Sequence, residues 1–100
     1  MVKRIELHNK LKTILPNVYF QPPSNVRLTY PCIVYHKRPP EVKMANDTIY
    51  NRTQEYQLTI IDQNPDSDTA DRILGMFPYC TIGSYSIVDN LNHTTLNLYY

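Results

Sequence analysis

The chain has 100 residues, of which 42% are hydrophobic and 19% charged, and its formal net charge is +1. That length holds one domain, which buries roughly 60–68% of the surface of its unfolded chain, and the composition excludes wholesale disorder. Near-neutrality gives no bulk electrostatic reason to wrap DNA or to bind an anionic membrane.

Leu7, Leu11, Ile14 and Leu15 recur at helical spacing within residues 2–15, with Lys3, Arg4, Lys10 and Lys12 on other faces. An amphipathic helix is predicted there, ending before Pro16. Asn17–Gln21 is a short strand candidate stopped by Pro22-Pro23. Tyr30–Lys37 is apolar and β-branched, a second strand with Pro31 at its start or on an edge. A polar, proline-bearing connection covers 38–48. From Ile49 to Asp62 the pattern is again β, with Tyr56, Leu58 and Ile60 on one side and Gln57 and Thr59 on the other. Ala70, Ile73, Leu74 and Phe77 then repeat as i, i+3, i+4, i+7, a second helix entered near Asp66 and ending near Pro78. Residues 84–89 and 94–100 read as a hairpin around a four-residue turn, Asp89–Asn92. The order α-β-β-β-α-β-β implies an α+β fold, a mainly antiparallel sheet with two helices packed on one face. It spans 1–100 as a single domain, with a projecting hairpin arm near 38–53.

Nine tyrosines and no tryptophan fit a strand-rich chain, since tyrosine favours strands as well as contact surfaces. Only two glycines are present, so no phosphate-cradling loop or dinucleotide fingerprint is available. Charge is divided along the chain. Up to residue 43, Lys3, Arg4, Lys10, Lys12, Arg27, Lys37, Arg38 and Lys43 stand against Glu6 and Glu41. From residue 44, Arg52 and Arg72 stand against Asp47, Glu55, Asp62, Asp66, Asp68, Asp71 and Asp89. The two halves either fold against each other or offer opposite faces to neighbouring copies, an arrangement suited to head-to-tail association.

Met1 is followed by a charged amphipathic segment without an apolar core, so neither a signal peptide nor a membrane span is expected. The N-x-Thr sequences at Asn46, Asn51 and Asn92 read as chance. Cys32 and Cys80 are expected to be free, buried thiols.

Asp62, Asn64, Asp66 and Asp68 fall at positions 1, 3, 5 and 7 of a calcium loop, but Ser67 replaces the glycine at 6 and Ile73 the glutamate at 12. The expectation is instead that Asn64 or Asp66 caps the second helix, whose first turns favour the carboxylates. His8, His36 and His93, placed in a helix, a strand and a turn, lack zinc-ligand spacing. No G-x-S-x-G and no activating signature around Cys32 or Cys80 is present, so no catalytic residue, metal or cofactor is assigned. Tyr35-His36-Lys37-Arg38 is a small basic-aromatic patch without RNP-type motifs. The 38–53 connection is long and polar, which makes it a candidate contact arm.

Tyr30-Pro-Cys-Ile-Val-Tyr35, Ala45-Asn-Asp-Thr-Ile-Tyr50, Tyr56-Gln-Leu-Thr-Ile-Ile-Asp62 with Pro65-Asp66-Ser67, and Asp89-Asn-Leu-Asn-His93 together resemble the small tail completion or tail terminator proteins of long-tailed bacteriophages. The resemblance spans Leu7 to Tyr99 and rests on strands and turns, not on catalytic motifs. It implies a non-enzymatic virion protein of the tail and neck, assembled in the host cytoplasm. That protein forms a homo-oligomeric ring, usually a hexamer, on the head-proximal end of the tail tube, ending tube growth and helping join tail to head. Tail tube and head–tail connector proteins would be its partners, with DNA at most passing through the lumen and no membrane involved. Lys37, Arg38, Lys43, Tyr50 and Arg52 would lie at the contact. The alternative, from another class, is a small nucleic-acid-binding domain using the basic N-terminal half.

Overall fold

A computed structural model describes residues 3–39 and 54–100. The order is α1 (Lys3–Lys12), β1 (Val18–Phe20), β2 (Cys32–Lys37), β3 (Glu55–Asp62), α2 (Thr69–Met76), β4 (Cys80–Val88) and β5 (Leu91–Tyr99). The fold is α+β, and the five strands form one mixed sheet in the order β1-β2-β3-β5-β4. Only the β1–β2 pair is parallel; the other three pairs are antiparallel.

The central strand decides which face is buried. Successive side chains of a strand point to opposite faces, so Tyr56, Leu58 and Ile60 share one side of β3. Register places Leu58 between Tyr35 of β2 and Leu96 of β5, and Ile60 beside Ile33. All of these side chains are buried, and Leu7, Leu11 and Ile14 from the α1 segment and Ile73 and Phe77 from the α2 segment complete the same core cluster. Both helices therefore cover one face. The other face carries Gln57, Thr59, Thr95 and Asn97 at matching register positions. Each fully buried Leu or Ile contributes about 1.5–3 kcal/mol relative to an exposed one.

Local chemistry sets the ends. After α1 the N–H groups of Thr13 and Ile14 donate to the Lys10 and Leu11 carbonyls, a tightened turn that keeps Ile14 buried before Pro16 breaks the helix. The Tyr30–Pro31 peptide is cis, and Pro31 directly precedes β2. At the end of α2 the Phe77 N–H closes on the Ile73 carbonyl, and Pro78 follows.

The hairpin differs from its sequence reading. Its strands are longer, Cys80–Val88 and Leu91–Tyr99, and its turn is the two residues Asp89-Asn90 rather than Asp89–Asn92. Both turn residues have positive φ, 53° and 65°. Asp and Asn tolerate that left-handed conformation, and two such residues match the twist of the flanking strands. His93 accordingly lies in β5, not in a turn. The second helix begins at Thr69, later than Asp66. The 38–53 arm lies outside the described residues from 40 onward.

Phe77 is only 3% exposed and its ring meets Tyr100 edge-on at 6.0 Å. Phe77→Ala is expected to cost about 3–5 kcal/mol of unfolding free energy, read from a denaturant titration. A loss below about 1 kcal/mol would show that α2 does not depend on this packing.

Candidate interaction site

The sheet order turns the charge division along the chain into a division across the molecule. α1, β1 and β2 occupy one flank, where the Arg4 guanidinium lies 4.4 Å from the centre of the Phe20 ring on β1. Lys37 ends β2 and Arg38 follows it, both exposed, with the Arg38 N–H donating to the Glu55 carbonyl at 2.9 Å. On the other flank α2 packs against β4. There Asp62 and Asp71 line an open cleft and Asp89 stands in the β4–β5 turn, while α2 also carries the exposed Arg72, so the flank is acidic in balance and not uniformly.

That cleft, about 520 Å³, lies between the α2 entry and the outer half of the hairpin, with Ile60, Ile82, Tyr85, Ile87 and His93 among its walls. Its sheet floor is polar because the core face of β5 changes from Leu98 and Leu96 to Thr94 and Asn92. Tyr85 is 71% exposed and Ile87 72%, although both project from the helix-covered side of the sheet. The hairpin simply extends past the helix layer. A smaller cleft of about 340 Å³ sits beside Glu6, Lys10, Tyr79 and Tyr100. There the Tyr100 hydroxyl donates to Glu6 Oε1 at 3.3 Å.

The aspartate-rich turn is a run of side-chain-to-backbone turns and not the helix cap expected from sequence. The Asn64 N–H donates to Asp62 Oδ1 at 2.8 Å, the Asp66 N–H to Asn64 Oδ1 at 3.0 Å, and the Thr69 N–H to Ser67 Oγ at 3.3 Å. These successive side-chain-to-backbone turns carry the chain from β3 to α2. Neither Asn64 nor Asp66 occupies the cap position: Asp68 does, and its side chain makes no capping bond. The turn is also tied to β5, because Asn92 Nδ2 donates to the carbonyls of Asp62 and Gln63 at 3.2 and 3.4 Å. Among the described residues no three His, Cys, Asp or Glu side chains converge as a metal site.

His8 reaches the core edge from α1. Its Nδ1 lies 2.8 Å from the hydroxyl of fully buried Tyr35. Burial, then the charges of Lys12 and Arg4, lower the His8 pKa, which favours a neutral ring that accepts the phenolic proton. Tyr35 is itself raised, by burial. Both cysteines are free; burial pushes each thiol up to about 11, so neither is an activated nucleophile at neutral pH.

Of the five residues singled out by sequence, Lys37 and Arg38 stand together at the end of β2, while Lys43, Tyr50 and Arg52 lie outside the described residues. Sequence reasoning missed Tyr85, Ile87 and Val88 as exposed apolar residues. The signal available was the absence of any charged residue from Tyr79 to Val88. Comparisons with protein-family models, with curated proteins and with solved structures gave no match.

Two outcomes follow from this geometry. Calcium is expected to leave the melting temperature unchanged, because Asp62 and Asn64 already accept backbone N–H bonds; a rise with calcium in a thermal scan would restore the metal reading. For His8, whose folded pKa lies below 6.5, stability is fully present above that pH and is lost as the pH falls through the folded value, since the unfolded chain then binds the proton more readily. Urea titrations across this range should show wild type losing more stability on acidification than His8→Gln, and equal losses would refute the assignment.

Proposed function

We propose that this chain is a non-enzymatic structural subunit of a bacteriophage virion. In this reading it forms a ring on the head-proximal end of a tail tube, ends tube growth and helps join tail to head. The observation that carries the reading is the separation of charge across the sheet, basic on the α1–β2 flank and acidic around α2 and the β4–β5 turn. Subunits of this kind meet head-to-tail, each acidic flank against the next basic one, and such heterologous contacts generate rings when the rotation closes. The element order α-β-β-β-α-β-β, which matches the one expected of the tail terminators the sequence resembles, supports it as well.

Within this function Lys37 and Arg38 stand at the base of the 38–53 segment, and Lys43, Tyr50 and Arg52 within that segment contact a neighbouring copy or the tube. The partners are further copies, in a ring taken as a hexamer, then tail tube protein and head–tail connector proteins, with DNA passing through the lumen. A DNA-binding domain built on the same basic flank is the competing reading. Its mark is a DNA affinity that falls steeply with salt.

The test adds purified protein to tail tubes and follows both tube length and ring formation by light scattering and negative-stain imaging. Capped tubes that stop growing are expected. Protein that stays monomeric in the presence of tubes and leaves their growth unchanged overturns the function. The double variant Lys43→Glu with Arg52→Glu is expected to lower the yield of infectious particles about tenfold or more, the scale of losing a charged contact at an interface. An unchanged yield removes the arm from the contact.

A further inference from the structure

We propose that the outer edge of β4 is a docking edge for a second copy of this chain. The incoming copy lays its basic β1 flank alongside β4, so that the sheet continues from copy to copy. The proposal rests on the ring reading above and supplies its contact.

β4 is the last strand of the sheet, and among the described residues it pairs only with β5. Natural proteins blunt a free edge with charge, proline, extreme shortness or a bulge, and the bulge of β4 leaves its outer half, Ser84–Val88, as the unprotected stretch. This edge is nine residues long, and the segment Tyr79–Val88 contains no Lys, Arg, Asp, Glu or Pro. A bulge between Ile82 and Ser84 divides it. Cys80 and Ile82 lie partly under the helix layer, whereas Tyr85, Ile87 and Val88 beyond the bulge are exposed.

The direction of the free backbone groups follows from the hairpin. Val88 and Leu91 flank a two-residue turn, so they form a hydrogen-bonded pair, and such pairs alternate along the ladder. Ser86 with His93 is then the next hydrogen-bonded pair. The N–H and C=O groups of Tyr85 and Ile87 therefore point outward, away from β5, and an extended strand is the partner that satisfies them.

Charge selects which strand. Asp62 and Asp71 line the cleft beside the outer half of β4, and Asp89 stands in the turn at its end. Pairing β4 with the β4 of another copy would bring these like charges together, which is disfavoured. The opposite edge of the sheet is β1, flanked by Arg4, Lys37 and Arg38, and it carries the complementary sign.

Sedimentation velocity over a concentration series, with amide hydrogen exchange on the same samples, tests this in the free protein. Wild type is expected to self-associate more weakly as salt rises, with the Tyr85 and Ile87 amides slowing as oligomers form. Ile87→Pro removes an outward N–H, which an edge strand tolerates, and should weaken association about a hundredfold. Ile87→Lys needs no backbone change and should weaken it too, by facing the basic flank with like charge. Oligomers that persist undiminished in both variants, with the Tyr85 and Ile87 amides of the wild type still exchanging freely in them, overturn the docking edge and leave the ring reading standing. Wild type that remains monomeric at every concentration also overturns the edge, while tube capping still decides the ring independently.

Discussion

The register of β3 is the constraint on which the rest of the structure depends. Tyr56, Leu58 and Ile60 are buried because they share one face of the central strand, and Ile33, Tyr35, Leu96 and Leu98 from its two neighbours meet them there. A slip of one residue would turn Gln57 and Thr59 into the core and Leu58 out of it. The same register brings both helices to one side, because the continuous apolar cluster lies there, while the other face buries only the Cys32–Ile61 pair among its described apolar residues. It also fixes β1 and β4 as the outer strands. The lateral arrangement of the molecule, and with it the separation of basic and acidic flanks, follows from pairings made at the centre of the sheet.

Polar groups near this core find partners within the fold. The Tyr35 hydroxyl, carried inward on a fully buried ring, finds His8 on α1. That bond joins the first helix to the sheet through a group that would be costly to bury unpaired. Asp62 and Asn64 face a similar demand: the chain reverses direction between β3 and α2, and backbone N–H groups in that reversal need acceptors. Short side chains with oxygen acceptors supply them two residues on. The Asp62 carboxylate and the Asn64 amide are thus explained by the geometry of the turn, and Asn92 extends the same network to β5.

Most elements were legible because periodicity is a local property. The i, i+3, i+4, i+7 spacing of Ala70, Ile73, Leu74 and Phe77 and the alternation of Tyr56, Leu58 and Ile60 each announce one buried face, and both readings agree with the observed elements. The entry to α2 was not legible, because Asx turns and an N-cap use the same residue types. The hairpin turn was misplaced for a related reason: Asp89, Asn90 and Asn92 are all turn formers, and only φ values separate the two in the turn from the one in the strand. The parallel β1–β2 pairing and the strand order are non-local, so no window of sequence contains them. The charge division could be counted in sequence, but its meaning as opposite flanks required that order. Tyr85 and Ile87 alternate like core residues, and nothing in their spacing reveals that the helix layer stops short of them.

The inner and outer halves of β4 meet at the bulge that contains Gly83. A Cβ there would lie 3.2 Å from Asn97 Nδ2 and 3.4 Å from the Thr95 carbonyl oxygen, so a side chain at this position would require Asn97 to shift by a few tenths of an ångström. The bulge keeps the helix-side residues on one face while absorbing an extra residue: Ile82 opposes Leu96 before it and Tyr85 opposes Thr94 after it. If the same residues ran in unbroken alternation with no bulge, Ser84 and Ser86 would face the helix side and Tyr85 and Ile87 the other. Instead Tyr85 and Ile87 continue the line of Cys80 and Ile82 past the end of α2. β4 is therefore built from an inner half that belongs to the core and an outer half that presents the same apolar face without a helix over it. An edge strand divided in this way needs no refolding to accept a neighbour, because backbone groups and apolar side chains are already aligned on one projecting segment.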